Sequence, residues 1–327
     1  MTLGFGIYAG GLGGDQYGNV TPGPPERADR IAAALDDLHG QHPFVVRGYV
    51  LYSDARGGFQ EGPPRPWQYA GAHRTLDLAV CFHEPGDDLT GWLAFLRKQI
   101  REHGPVLSSL QIAQEPNHAG PGGNGDFPQV RRAVVEGVLA ARAEVDRLGL
   151  AVRIGCNAAP AFDPGQEYWT DLGRLGGREF TDALDYVGLD FFPDVFRPLP
   201  ASELEAAATA VLTGFRRDSL AAAGIPATTP IHISENGWAT GPGRSYARQA
   251  EVLETMVELV DRLAYQLGIT TYEHFGLRDS YSDQGDMNLE FGLLRSDYTP
   301  KPAFEKYREL IAKYSTPAGP PSPVRPG

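Results

Sequence analysis

The sequence predicts an α/β protein built as a closed (β/α)8 TIM barrel in a single domain. Three observations carry that expectation. Short apolar runs rich in strand-forming residues alternate with amphipathic helical segments eight times along the chain. The runs are almost continuously apolar, as parallel strands covered on both faces must be. The glycine-rich stretch after the first run, Gly10-Gly-Leu-Gly-Gly14, continues through further loop residues to Pro25 before any helix begins. A dinucleotide-binding turn of an open doubly wound sheet would lead directly into its helix.

The strand-like runs lie at 4–9, 44–52, 76–83, 107–114, 152–157, 186–192, 230–234 and 269–275. Helical patterns occupy 26–39, 88–103, 127–148, a weaker 168–180, 202–223, 246–267 and 301–314. Asp126 and Ser245 stand where N-caps belong, and Gly104, Gly149 and Gly268 follow the last periodic residues. Between the second and third runs the helical signal is poor: 57–66 reads as loop, and 67–74 has length for only a turn or two. Residues 10–25 read as a long mobile loop over the barrel mouth. The tail 316–327, with five prolines and two glycines, reads as disordered, which leaves 1–315 as the barrel.

The chain has 327 residues and a formal net charge of −12, with a sequence pI near 5.1. That balance argues against a nucleic-acid surface or an anionic membrane partner. Cys81 and Cys156 sit in apolar runs without CxxC spacing and read as reduced core residues. The opening Met-Thr-Leu-Gly-Phe runs straight into a strand with no secretory pattern, and no apolar run approaches the roughly 20 residues that span a bilayer. A cytoplasmic location is expected. The oligomeric state has no signature in the sequence.

Two segments carry the chemistry: Gln111-Ile-Ala-Gln-Glu115-Pro-Asn117 and Ile231-His-Ile-Ser-Glu235-Asn-Gly237. In each, an apolar run ends on a glutamate followed by strand-stopping residues. A carboxylate at the mouth of a buried strand is costly without a task or a partner. One such Glu alone would suit a structural ion pair equally well. Two, on well-separated strands, are the minimum equipment for acid/base and nucleophilic work on an acetal. Other polar residues at the same strand ends include Tyr8, Arg47, Tyr49, His83, Asn117, Asn157, Asp190, Glu273 and His274.

These segments resemble clan A glycoside hydrolases, the (β/α)8 superfamily of cellulases, β-glucosidases and β-xylosidases, over essentially residues 5–314. In that clan an acid/base Glu ends the fourth strand, usually in Asn-Glu-Pro, and a nucleophile Glu ends the seventh, often in Ser-Glu-Asn-Gly. Gln114-Glu115-Pro116 falls on the fourth run here and Ser234-Glu235-Asn236-Gly237 on the seventh. Arg47, ending the second, resembles the clan arginine that contacts the nucleophile, and His83 a histidine many members place near the cleavage subsite. Three positions depart from the pattern. Gln114 replaces the Asn that binds the sugar 2-hydroxyl, the sixth run ends on Asp190 without an obvious Tyr for the nucleophile, and the eighth ends on Glu273-His274-Phe275 where a Trp platform normally lies.

The resemblance implies a retaining enzyme that cleaves a β-type O-glycosidic bond by double displacement. Glu235, ionised and held by Arg47, attacks the anomeric carbon while Glu115 donates a proton to the leaving oxygen. Arg47, His83, Gln114, Asn117, Asp190, Trp238, Glu273 and His274 are the expected substrate-binding residues. A carbohydrate or small glycoside is the expected partner, and neither metal nor organic cofactor is required. Two other readings use the same residues. One is a sugar-binding barrel that has lost hydrolysis. The other is a metal-dependent (β/α)8 hydrolase or isomerase using His83, Glu84, His118, Asp190 and His274, although the first strand supplies no His-x-His pair.

Overall fold

The computed structural model describes residues 2–11, 13–14, 20–21, 23–52, 61–120 and 123–315. Eight parallel strands form the barrel: β1 Gly4–Tyr8, β2 Phe44–Tyr52, β3 Arg74–Phe82, β4 Leu107–Ile112, β5 Arg153–Ala158, β6 Tyr186–Asp190, β7 Ile231–Asn236 and β8 Ile269–His274. Each pairs with its neighbour in chain order, and β1 closes the ring by pairing with both β8 and β2. The longest ladder joins β2 to β3, from Phe44 opposite Arg74 to Tyr52 opposite Phe82.

Helices cover the outside: α1 Ala28–His39, α2 Thr90–His103, α3 Val130–Leu148, α4 Glu167–Ala183, α5 Leu204–Gly214, α6 Tyr246–Leu267 and α7 Pro302–Tyr314. Apolar side chains on their inner faces, such as Ile31, Leu96, Val138, Leu172 and Val257, pack against the outer faces of the strands in one buried core. Between the second and third strands, where the helical signal is weak, the described residues hold no α-helix: Glu61–Gly62 pairs antiparallel with β2, and a 3-10 turn, Pro66–Tyr69, precedes β3.

Ser245 caps α6 by accepting from the Arg248 N–H, and Gly149 and Gly268 close α3 and α6 in left-handed conformations. One expected boundary moves, while Gly104 follows the last residue of α2 as expected. Asp126 accepts from the Gly120 N–H within the loop, and α3 starts at Val130. Gly104 stays in right-handed helical geometry and leads α2 into a 3-10 turn, Gly104–Val106. Helix α4 contains a break at Gly177, and α5 runs on through a π-helical turn, Phe215–Ser219. Cys81 and Cys156 are both free, and burial pushes each thiol up to about 12.

Within the glycine-rich stretch after β1, Gly13–Gly14 pair antiparallel with Val20–Thr21. Residues 12, 15–19 and 22 of the expected mouth loop, and the expected disordered tail 316–327, lie outside the described residues. Among the described residues no helix is long and apolar enough to cross a membrane.

Candidate active site

The C-terminal ends of the strands converge on a buried polar network, built on Arg47 of β2. Its side chain is 0% exposed. Nη1 donates to Asp77 of β3, Nη2 to Gln111 Oε1 of β4 at 2.8 Å, and Nε to the Tyr49 hydroxyl at 2.8 Å. Arg47 and Tyr49 are two apart on one strand, so both point into the barrel. Tyr49 then donates to Glu235 Oε1 at 2.5 Å. The Arg47 guanidinium lies 3.7 Å from that same oxygen, an ion pair beyond hydrogen-bond length. The expected direct clasp of Glu235 by Arg47 is therefore relayed through Tyr49.

Glu235 reaches the mouth because β7 is irregular. Its register against β6 and β8 shifts after Ile233, and Glu235 comes to lie opposite Asp190. Strict alternation would turn Ser234 and Glu235 to opposite faces, and the shift re-aims the chain so that both engage the interior. Ser234 donates to Asp190 Oδ1 at 2.6 Å. Gly188 of β6 gives this arrangement room: a Cβ there would meet Ser234 Oγ at 2.5 Å and Asn157 Cβ at 2.8 Å.

Glu115 is aimed by a bend after β4. Ala113 and Glu115 adopt positive φ of 66° and 40°, conformations worth about 1–3 kcal/mol of strain each for residues other than glycine. Asn124, fully buried, holds the bend: its Oδ1 accepts from the N–H groups of Phe82 and Gln114, each at 2.8 Å. Asn157 Oδ1 accepts from the Glu115 N–H at 2.9 Å, and its Nδ2 donates to Asp190 Oδ2 at 2.5 Å.

Gln114 links the two ends of the network. Its Nε2 donates to Glu235 Oε1 at 2.8 Å and to Asp190 Oδ2 at 2.9 Å, which uses both amide hydrogens. Its Oε1 accepts from Gln111, Arg47 and Asn157. Replacing the usual Asn by the longer Gln thus places the amide between two carboxyl groups.

Three carboxyl groups crowd this space, and their environments separate them. Burial, reinforced by the charges of Asp190 and Glu235, pushes the Glu115 carboxyl well above the usual carboxylate range. Burial and then the Glu235 charge push Asp190 the same way. Burial also raises Glu235, but the Arg47 charge and the hydrogen bonds from Tyr49 and Gln114 pull it back. Glu235 is the carboxyl best equipped to stay ionised, and its stabilising donors all fall on Oε1.

The other expected site residues make separate contacts. Asn117 is committed to the backbone, bonding the Ala159 carbonyl at 2.8 Å and accepting from its N–H at 2.9 Å, which fastens the β4 loop to the β5 loop. His83 follows β3 and stacks on Phe127. Trp238 donates to Asp194 at 3.0 Å, and its ring carries the Arg244 guanidinium 3.6 Å above it. Glu273 and His274 are adjacent on β8 and face opposite ways. Glu273 packs inside the barrel beside Gly6 of β1, and burial pushes its carboxyl well up. His274 lies between barrel and helices, 5.6 Å from the Tyr307 ring, and burial drives its pKa down to about 3. Among the described residues no three His, Cys, Asp or Glu side chains are grouped as metal ligands. Asp190 and His274, two of the ligands named for a metal-dependent reading, stand on opposite sides of the barrel wall.

Tyr49 and Asn157, noted above among the polar strand-end residues, join the network, and Asp77, Gln111, Asn124 and Ser234 complete it beyond the expected set. Asp77 had a sequence signal: a lone acid inside the apolar run Leu76-Asp-Leu-Ala-Val80 needs a buried partner. Asn124, in a Gly/Pro-rich loop, had none.

No protein-family model and no curated protein sequence matches this chain. Solved structures do resemble it. A family 39 glycoside hydrolase from the gut symbiont Bacteroides cellulosilyticus WH2 is 16% identical with a TM-score of 0.59, the match covering 95% of this chain and 64% of that one. A β-glucuronidase from Ruminococcus gnavus in complex with D-glucuronic acid is 13% identical with a TM-score of 0.60, over 95% of this chain and 49% of that one. This chain thus spans less than two thirds of either. A β-glucosidase from Exiguobacterium marinum is 14% identical with a TM-score of 0.61, over 95% and 98% of the two chains. At such identities the likeness establishes a shared fold, the (β/α)8 barrel of these glycoside hydrolases.

Proposed function

We propose that this barrel is a retaining glycoside hydrolase acting on a β-linked glycoside. The observation that carries the reading is the division between the two strand-end glutamates. Glu235 is held by Tyr49, Gln114 and the Arg47 charge, whereas burial and neighbouring acids favour the protonated form of Glu115. An ionised nucleophile beside a protonated acid is what double displacement needs at neutral pH. The fold shared with a β-glucosidase and a β-glucuronidase is consistent with it.

In this mechanism a Glu235 oxygen attacks the anomeric carbon as the bond to the leaving oxygen breaks, and Glu115 gives that oxygen its proton. The products of this half-reaction are the free alcohol and a glycosyl ester of Glu235. Glu115, now a carboxylate, takes a proton from water as the water attacks the same carbon and Glu235 departs. Two inversions leave the configuration retained. Arg47, Tyr49 and Gln114 hold Glu235 in place and stabilise its charge before attack and on departure.

The test is turnover of a nitrophenyl and methylumbelliferyl glycoside panel that includes pentosides and uronides. NMR then assigns the anomer of the first-formed sugar. Release of the β-anomer from a β-glycoside supports the proposal. The α-anomer first, or no turnover on any member of the panel, contradicts it.

A further inference from the structure

The opposite end of the barrel has a different chemistry from the mouth. A cavity of about 390 Å³ opens where the strands begin, lined among others by Gly4, His73, Arg74, Arg153, Thr270 and Thr271. That volume falls within the range of about 300–1,000 Å³ typical of small-molecule sites. The chain as a whole carries −12, yet the described residues lining this cavity include two arginines, a histidine and no carboxylate.

Arg153, the first residue of β5, is the key side chain. Its Nε donates to the Ser108 carbonyl at 3.4 Å, and its Nη1 faces His232 Nε2 at 3.2 Å. Both partners are uncharged, since burial and the charges of Arg153 and Arg47 hold the His232 ring well below its ordinary pKa. Among the described residues no carboxylate lies within ion-pair distance of Arg153, although its charge acts on the buried carboxyl of Glu273. Arg74 lies on the same cavity, and its carboxylate partner, Asp36, is itself exposed. The Thr270 hydroxyl, in the cavity wall, is buried without a hydrogen-bond partner among the described residues. Guanidinium groups recognise oxyanions through paired N–H donors, and a half-buried one with no carboxylate at ion-pair distance favours an anion beside it.

We propose that the floor of the barrel is a second ligand site, which binds a small anionic group, phosphate or carboxylate, between Arg153 and Arg74 with the Thr270 hydroxyl as a further partner. The proposal is independent of the glycosidase reading, because no mouth residue takes part.

Isothermal titration of the full chain with inorganic phosphate, and separately with citrate, at constant ionic strength tests it and distinguishes the two chemistries. One saturable site per chain for at least one of the anions is expected. Arg153→Gln should weaken it at least tenfold, and Glu235→Gln should leave it unchanged. Arg74→Gln and Thr270→Val, each with its circular dichroism checked, supply the same readout if Arg153→Gln does not fold. The proposal is overturned if neither anion gives a saturable isotherm. It is equally overturned if binding survives the floor substitutions, or disappears in Glu235→Gln.

Discussion

The Tyr49 hydroxyl donates to Glu235 Oε1 at 2.5 Å while accepting from Arg47 Nε at 2.8 Å. In the clan pattern a tyrosine from the sixth strand is expected beside this carboxylate. Here β6 ends on Asp190, and β2 supplies the phenol. Tyr49→Phe removes a hydrogen bond to a charged group, worth about 1.5–3 kcal/mol, so kcat/KM should fall roughly 10- to 100-fold. Because that bond lowers the Glu235 pKa, the acid limb of the kcat/KM profile should also move to higher pH. A Tyr49→Phe enzyme with an unshifted acid limb would show that the contact does not act on Glu235.

Arg47 behaves differently, because it is structural as well as electrostatic. Lysine keeps the charge but cannot reach Asp77, Gln111 and Tyr49 together. Breaking a buried pair of this kind costs about 3–5 kcal/mol. Arg47→Lys should therefore lose several degrees of Tm along with activity, whereas Tyr49→Phe should lose mainly activity. Thermal unfolding of the two variants side by side checks the distinction, and an unchanged Tm for Arg47→Lys contradicts it.

Asp190 gives a prediction about pH. Its folded pKa is raised by burial and by Glu235, so it contributes stability that is fully present below its unfolded pKa, about 3.9, and lost as pH rises through the folded value. Asn can replace the protonated acid, accepting from Gln114 and Asn157 and donating to Ser234 Oγ. Asp190→Asn should then raise Tm at pH 8 relative to pH 4. Since the Asp190 charge also raises Glu115, the substitution should move the alkaline limb of activity to lower pH. Both measurements unchanged would mean that Asp190 is not coupled to Glu115.

Glu273, expected from sequence to bind substrate, should tolerate substitution. Its carboxyl is pushed well up by burial, and its Oε2 is buried without a partner among the described residues. Gln mimics the protonated acid, so Glu273→Gln should hold or raise Tm at pH 7. It should change kcat/KM by less than about threefold, since no substrate contact is lost. A large rise in KM would return Glu273 to the binding site.

The barrel was legible because its signals are local. Strand period, helix period and caps such as Ser245 and Gly268 each depend on a few neighbouring residues. Glu115 and Glu235 were legible because a carboxylate ending an apolar run is an anomaly in itself. The contacts that surround them were not. Tyr49 and Glu235 are 186 residues apart, and their meeting depends on barrel closure and on the register shift in β7. His274 shows the converse: it follows Glu273 at a strand end, but the pleat turns it outward, and polarity at a strand end does not say which face a side chain takes.

The central claim is the division of roles between Glu115 and Glu235, and azide rescue of the two truncated variants tests it most directly. With Glu115→Ala the proton transfer is lost, worth about 10²–10⁴-fold, but an activated aryl glycoside still glycosylates Glu235. Azide entering the vacated space should then give a glycosyl azide of retained configuration. With Glu235→Gly azide must attack the substrate itself, and the product should be inverted. NMR of the two glycosyl azides reads the result. Opposite configurations are predicted, and products of the same configuration from both variants, or full activity in either without azide, would contradict the account.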